Sequence, residues 1–228
     1  ARDGVLVHGA DNTVPRLLST NKIFLDVSGR ADLAVSCETP GSYQLSAGNT
    51  QIAEICVSGS QSVEAATLST FQPKRPDYLQ SLLNYNGAFQ QYPGNGGRTS
   101  SQWSVNVGAR TINGNSFVSE STYLQVIQAG NVNEWSVNGA RLHAFHLHVN
   151  HFQVMSGGDD ASDPNMHVVG DWLDTLSNNG VIRFRADRFG GKSILHCHLL
   201  EHEDQGSMAL VMIEGGCDYD GVSDFDDS

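Results

Sequence analysis

The chain has 228 residues, and 13 Lys plus Arg stand against 25 Asp plus Glu, which gives a formal net charge of −12. Because nucleic acids and anionic membrane surfaces are themselves negative, this balance argues against both as partners. No stretch approaches the roughly 20 apolar residues of a membrane-spanning helix, while an apolar content of 39% is enough to fill a core, so we expect a globular protein that does not insert into membranes.

Short runs of alternating apolar and polar residues fill the first part of the chain, and turn dipeptides separate them. The chain opens on Ala1 rather than Met, inside a run typical of a strand, which suggests a processed chain or a fragment. The alternating runs predict four strands, at 22–27, 31–37, 42–47 and 51–57. The small and polar stretch from Ser58 to Thr70 predicts a linker, and we place a domain boundary there.

A second series of strands is predicted after this boundary. Pro76 and Asp77 precede an apolar run typical of one or two helical turns. Further strands are predicted at 102–107, 116–119, 122–129, 133–137, 144–155, 181–186, 193–199 and 209–214. This many strands with almost no helix predict an all-β fold, a Greek key β sandwich or barrel. The last residues, 215–228, carry five aspartates and no basic residue, which is typical of a solvated tail, with a metal-binding tail as the alternative.

Six of the nine histidines fall into two short segments that also hold a cysteine. The segments are His143-Ala-Phe-His146-Leu-His148 and His196-Cys197-His198-Leu-Leu-Glu-His202. Imidazole and thiolate side chains at such short spacings indicate metal ligands. Zinc is one candidate metal for such a set. Structural zinc sites, however, usually draw two or more closely spaced cysteines, and this cluster has one.

Side-chain alternation along a strand sorts these residues into two sites, because Cys197 points to one face and its two neighbours point to the other. The first site collects the two imidazoles and one thiolate that mark a blue copper centre, from His143, Cys197 and His202. The second site is all imidazole, and it collects His146, His148, His196 and His198. The covalent chain through Cys197 joins the two sites by a short bonded route for an electron.

At these residues the sequence resembles the multicopper oxidases, the family of laccases and bilirubin oxidases. The motifs HxxHxH at 143–148 and HCHxxxH at 196–202 carry the resemblance, and further similar runs lie at 1–5, 24–35, 40–45, 130–142, 171–175 and 182–187. The resemblance implies a cupredoxin-like fold preceded by part of a second cupredoxin domain. Its implied parts are a partial middle domain at 1–58, a linker at 59–80, a C-terminal copper-binding domain at 81–216 and the acidic tail at 217–228.

Carried over by motif position, the resemblance implies a role for each ligand. It implies type 1 copper at His143, Cys197 and His202, a type 2 ligand at His146, and type 3 ligands at His148, His196 and His198. Glu203 matches an acidic position thought to help deliver protons to reduced oxygen in some members, and an exposed loop carboxylate is its alternative reading. Cys197 and Glu203 are therefore the candidate catalytic residues.

Two departures from the family pattern bear on activity. Ser207 stands where the family often has methionine, so either the type 1 copper lacks a strong axial ligand or a local shift brings in Met208. The family's trinuclear cluster also needs four HxH pairs, and this chain has two, since His8, His151 and His167 form no further pair. We expect type 1 copper in the isolated chain, with type 2 and type 3 coppers only if upstream cupredoxin domains or another subunit supply the missing pairs.

The function that follows is a copper oxidase. A small reducing substrate would give single electrons to the type 1 copper, and these would pass through Cys197 to a trinuclear site that reduces dioxygen to water. The alternatives are a non-catalytic blue copper electron-transfer or copper-binding module, and a structural β protein without copper. The family implies an extracellular or periplasmic location.

Two smaller features leave alternatives open. The acidic loop at 157–163 would favour a cationic or metal substrate by charge attraction, although a plain solvated loop is the simpler reading. A disulfide between Cys37 and Cys56 is the less favoured reading because their predicted strand faces oppose each other. Cys217 either pairs with sequence outside this chain or stays free.

Overall fold

The computed structural model of this chain describes residues 21–35, 37, 39–59, 74–93, 99–157, 167–186 and 189–215. Several predictions concern residues outside this described part. They are the opening run at 1–5, His8, most of the linker at 59–80, most of the loop at 157–163, Cys217 and the tail at 217–228.

A hairpin forms the described part of the region before the linker. β1 (Gly41–Ala47) pairs antiparallel with β2 (Thr50–Val57), which confirms two of the four strands predicted there. Gly48 allows the tight turn between them because it takes a positive φ of 57°. Leu45 and Ile55 point to the same face and are 49% and 40% exposed. The apolar face of this hairpin therefore lies open to solvent.

The strand predicted at 22–27 does not form, and the described residues of the run at 31–37 contain no strand either. Residues 22–30 instead contain a tight turn, in which the Gly29 amide donates to the Asp26 carbonyl at 2.8 Å. A β-carbon on Gly29 would lie 2.9 Å from the Asp26 backbone nitrogen, so only glycine fits there. Phe24 and Asp26 contact His167 of the domain that follows, whereas Leu25 and Val27 are 46% and 44% exposed.

Twelve further strands and one short helix lie in the described residues from 74 to 215. The strands are β3 (Tyr92–Pro93), β4 (Thr99–Ser100), β5 (Gln102–Asn106), β6 (Tyr123–Gln128), β7 (Val132–Asn138), β8 (Phe145–Leu147), β9 (Phe152–Gly157), β10 (Trp172–Leu173), β11 (Thr175–Leu176), β12 (Gly180–Arg185), β13 (Gly191–Cys197) and β14 (Met208–Glu214). The helix is α1 (Leu200–Asp204), and a 3₁₀ turn spans Asp77–Leu79. The all-β prediction is confirmed.

Two five-stranded sheets hold most of these strands. One has the order β10-β9-β12-β7-β5, and the other has the order β11-β8-β13-β14-β6. Neighbours run antiparallel except for β5 beside β7 and β14 beside β6, which are parallel. β3 and β4 form a separate pair. Because strands distant in sequence lie side by side, connections cross from one sheet to the other, as Greek key folds require.

One apolar core fills the space between the two sheets. Its largest members come from both sheets and are fully buried, as shown by Trp135, Phe145, Phe152 and Phe184. The Trp135 indole N–H donates to the Tyr92 hydroxyl at 2.6 Å, so the polar atom of the central aromatic residue is satisfied. The sandwich predicted from strand number is therefore the observed architecture.

Three predicted elements beyond the linker are wrong. Residues 116–119 form no strand, and the helix after Pro76 is only the 3₁₀ turn. The strand predicted at 144–155 is two strands, β8 and β9, which lie in different sheets. The chain changes sheet near Val149, which takes a positive φ of 71° that no regular strand contains.

Candidate metal centre

Cys197 is the last residue of β13 and points into the core. It lies opposite Phe145 of β8, and its side chain is fully buried. α1 begins three residues later and carries His202 back over the cysteine. The Cys197 Sγ lies 3.6 Å from Nδ1 of His202, and Nδ1 of His143 lies 3.1 Å from the same nitrogen. The structure thus brings together the three residues predicted for the first site.

The spacing of these three donor atoms fits a single metal ion. Metal–nitrogen bonds of about 2.0 Å and metal–sulfur bonds of about 2.3 Å place ligand atoms on one ion between about 3 and 4 Å apart. Burial raises the pKa of the Cys197 thiol, and burial followed by the charge of His202 lowers the pKa of His143. A cation that binds here therefore meets neutral imidazole and displaces the thiol proton.

The second predicted site forms on the opposite face of the same strand. His196 of β13 lies directly opposite His146 of β8, so their side chains share a face. The Nε2 atoms of His148 and His196 face each other at 3.1 Å. Ligand atoms of His146, His148 and His196 all lie within 4.8 Å of one another, and the His198 ring lies 4.8 Å from that of His146. All four predicted imidazoles are gathered.

Polar groups behind the imidazoles fix their orientation. The His146 Nδ1–H donates to the Asp174 carbonyl at 2.8 Å and to the Thr175 hydroxyl at 3.0 Å, which leaves Nε2 with its lone pair. The Glu203 carboxylate lies 3.3 Å from Nδ1 of His196. Glu203 therefore contacts the site and is not the exposed loop carboxylate of the alternative reading.

Burial lowers the pKa of three imidazoles at this site, those of His146, His148 and His196. Desolvation is the main cause that lowers the pKa of His146 to about 4, against the opposing influence of the Asp174 carboxylate. Desolvation likewise lowers the pKa of His148 and of His196. Neutral imidazole is the form that binds a metal ion, so the site is prepared for a cation at neutral pH.

The two candidate axial residues, one just before β14 and one at its first position, have different surroundings. Met208 pairs with His196 in the sheet register, so its side chain lies on the histidine face, away from the Cys197 thiol. Ser207 is fully buried beside Cys197, and its hydroxyl donates to the Gly108 carbonyl at 2.6 Å. Met208 is therefore not brought to the first site.

The remaining predicted residues have other surroundings. His167 pairs with Asp26 at 2.7 Å, and His151 lies 4.0 Å from the Asp174 carboxylate. Cys37 and Cys56 are both free thiols, as their opposed predicted faces favour. An open cavity of about 180 Å³ lies beside His146 and His148 and is also lined by His151 and Asp174.

Sequence reasoning missed the groups behind the imidazoles. Asp174 and Thr175 lie in the 171–175 run that resembles the family, but no spacing rule assigned them a contact with His146. Ser28 lies 3.3 Å from Nδ1 of His198, although 170 residues separate the two in the chain. Side-chain contacts at such sequence separation leave no local pattern.

Fold and site together define a cupredoxin-like copper protein. The sequence profile of the multicopper oxidases matches residues 71–216, which is more than half of the chain. The chain belongs to the multicopper oxidase family. Copper is the metal expected of this family, and oxidoreductase activity is its class of chemistry.

Solved structures share the fold. The laccase from Pediococcus acidilactici Pa5930 has a TM-score of 0.58 at 21% identity, and the match covers 78% of this chain and 37% of that chain. The multi-copper oxidase from Pseudomonas thermotolerans has a TM-score of 0.54 at 17% identity, with 77% and 41% covered. McoA from the hyperthermophile Aquifex aeolicus has a TM-score of 0.52 at 20% identity, with 74% and 38% covered.

The chain therefore spans less than half the length of these three structures. Within its described residues, no helix is long and apolar enough to cross a membrane.

Proposed function

We propose that this chain is the C-terminal portion of a copper-dependent oxidase that takes single electrons from a small reducing substrate and reduces dioxygen to water. His143, Cys197 and His202 would hold a type 1 copper, and the four imidazoles on the other face of β13 would supply half of a trinuclear site. The convergence of one thiol and two Nδ1 atoms at 3.1 and 3.6 Å carries the proposal. Copper supplies the one-electron chemistry when bound.

The chain's own residues would perform three tasks around the metals. The covalent backbone from Cys197 to its two neighbouring histidines is the short connection between the two sites. The core around Cys197 excludes water from the thiol, which is fully buried. Glu203, whose carboxylate lies 3.3 Å from Nδ1 of His196, would hold or release a proton beside the second site.

The domain scheme is part of the same proposal. Residues 1–58 would belong to a partial middle cupredoxin domain, 59–80 to a linker, 81–216 to the C-terminal domain and 217–228 to a tail. The exposed apolar face of the β1–β2 hairpin supports this scheme, since a complete domain would bury such a face. The two missing HxH pairs would come from upstream cupredoxin domains or from another subunit.

Copper stoichiometry and a visible spectrum test the proposal. The chain is loaded with Cu(II) and compared with Cys197→Ser, and with Cys56→Ser as a matched control that removes an exposed free thiol. We expect intense thiolate-to-copper absorption in the parent and in Cys56→Ser, and none in Cys197→Ser. Oxygen consumption with a phenol should require the missing pairs.

Two other outcomes of these measurements would favour the alternative functions. Blue absorption without oxygen consumption, even after the upstream domains are supplied, would favour the non-catalytic electron-transfer module. Absence of bound copper in the parent would contradict the proposal and favour a structural β protein.

A further inference from the structure

Two contacts reach the all-imidazole site from a single turn that precedes the sandwich domain. Ser28 Oγ lies 3.3 Å from Nδ1 of His198. Arg30 donates from its guanidinium to the Asp174 carboxylate at 2.5 Å, and Asp174 accepts from His146 through its carbonyl. One turn thus contacts the His198 ring directly and the His146 ring through Asp174.

The contact from Arg30 continues by hydrogen bonds to the ring of His146. Arg30 binds Oδ2 of Asp174, and the other carboxylate oxygen accepts from the Thr175 hydroxyl at 3.0 Å. With its proton directed to Asp174, the Thr175 oxygen can only accept from Nδ1–H of His146, at 3.0 Å. The arrangement selects the tautomer that leaves Nε2 of His146 unprotonated.

The turn itself is held firmly against the sandwich. Asp26 pairs with His167 at 2.7 Å, and both side chains are only 2% exposed. Phe24 packs edge-on against the same His167 ring. Ser28 takes a positive φ of 63°, a left-handed conformation that is unfavourable for a residue with a β-carbon. The surrounding contacts therefore hold Ser28 in a conformation it would not adopt alone.

We propose that the turn Asp26–Arg30 is a positioning element for the all-imidazole site, with Arg30 orienting His146 through Asp174 and Thr175, and Ser28 orienting His198. This inference rests on the proposed function, because it gives the second site its metal-binding role. Outer groups that orient ligating imidazoles typically contribute 10- to 100-fold in metal affinity. Arg30 and Ser28 do not themselves ligate the metal.

Imidazole tautomers in the metal-free chain provide the first readout. Long-range proton–nitrogen correlation spectra of the ¹⁵N-histidine-labelled full chain at pH 7.5 show which ring nitrogen carries the proton. We expect His146 in the Nδ1–H form in the parent. Because the Asp174 carbonyl still accepts from Nδ1 in Arg30→Met, that variant should keep this tautomer but shift the ring signals of His146. Ser28→Ala should change the ring signals of His198 alone.

Zinc titration of the same samples provides the second readout, since Zn²⁺ is diamagnetic and each ring signal reports its own site. We expect affinity at His146 to fall about tenfold in Arg30→Met. Arg30→Lys keeps the cation and should restore the parent ring signals of His146. Lys192→Met is the matched control, because it removes a cation from the exposed pair with Glu120, at 3.7 Å.

Unchanged ring signals and zinc affinities in folded Arg30→Met and Ser28→Ala would overturn the positioning role. An equal loss at the His143 and His202 signals would overturn it as well, since it would show general destabilisation. The proposed function fails separately: a chain without blue copper absorption can still show the change in ring signals, and a blue chain can still lack it.

Discussion

The reduction potential of a copper at the first site would depend on the residue that lies beside Cys197, just before β14. Ser207 occupies that position, and its hydroxyl is already bonded to the Gly108 carbonyl at 2.6 Å. A type 1 copper in this chain would therefore lack a strong axial donor. Because an axial thioether stabilises Cu(II) more than Cu(I), its absence favours a higher reduction potential.

Substitution of Ser207 tests this point. We expect Ser207→Met to lower the reduction potential of the copper-loaded chain, as measured by spectroelectrochemistry at the thiolate absorption band. Met208→Leu is the control and should leave the potential unchanged, because that side chain lies on the histidine face. A higher potential in the control variant would show that Met208 reaches the copper.

Glu203 should influence the basicity of His196. Its carboxylate raises the pKa of that imidazole, against the larger opposing effect of burial. Glu203→Gln should therefore lower the pKa of His196 further, as followed by ring proton shifts in the metal-free chain. Glu201→Gln, on the same helix but exposed, should leave the pKa of His196 as it is. An equal shift in both variants would contradict a specific contact.

The elements that place the ligands depend on close backbone packing at a few glycines. Gly139 ends the β7 region with a φ of 78°, and a β-carbon there would collide with the Val107 carbonyl oxygen. Gly114 has a similar φ of 80°, but open space surrounds its missing side chain. A β-carbon at Gly114 would therefore introduce backbone strain alone, whereas a β-carbon at Gly139 would introduce strain and a steric clash.

Alanine substitutions at these glycines make the comparison quantitative. We expect Gly114→Ala to lower the free energy of unfolding by about 1 to 2 kcal/mol from backbone strain. Gly139→Ala should cost about 3 kcal/mol or more, because overpacking adds to the strain. Urea unfolding of the metal-free chain measures both values. Equal losses in the free energy of unfolding would show that the backbone at Gly139, just after β7, moves to admit the methyl group.

The stability of the whole molecule should depend on pH through its buried imidazoles. The pKa of His146 is about 4 in the folded chain and 6.5 when unperturbed. Between these values the unfolded chain binds a proton that the folded chain does not, so stability falls as pH decreases from 6.5 to 4. The lowered pKa values of His143, His148 and His196 act in the same direction.

Denaturant unfolding at several pH values checks this expectation. From pH 7.5 to pH 5, the free energy of unfolding of the metal-free chain should fall by on the order of a few kcal/mol. His146→Gln should flatten the profile, since it removes the imidazole whose pKa falls to about 4 on folding. A profile that stays flat in the parent would contradict burial of neutral imidazoles. Metal-loaded samples should show a steeper loss, because protons compete with the cation.

At the scale of the whole chain, local patterns predicted the approximate number of strands and the strand face on which each side chain of the two histidine motifs lies. Alternation predicted β13 with Cys197 on one face and His196 on the other, since a strand leaves no other choice. The same rule failed at 144–155, where a left-handed residue at Val149 moves the chain to the second sheet. It also failed at 22–27, where the segment packs against the sandwich without strand pairing.

By itself, the sequence determined the all-β class, the family and the division of seven candidate ligands into two sites, because strand periodicity and ligand spacing are local properties. Only the tertiary structure decided that Glu203 meets His196, that Ser207 rather than Met208 lies beside Cys197, and which side chains orient the imidazoles. Arg30 and Asp174 are 144 residues apart in the chain and meet because the first segment packs on the sandwich. Contacts between residues so far apart in the chain depend on how the complete core packs, which no local sequence pattern records.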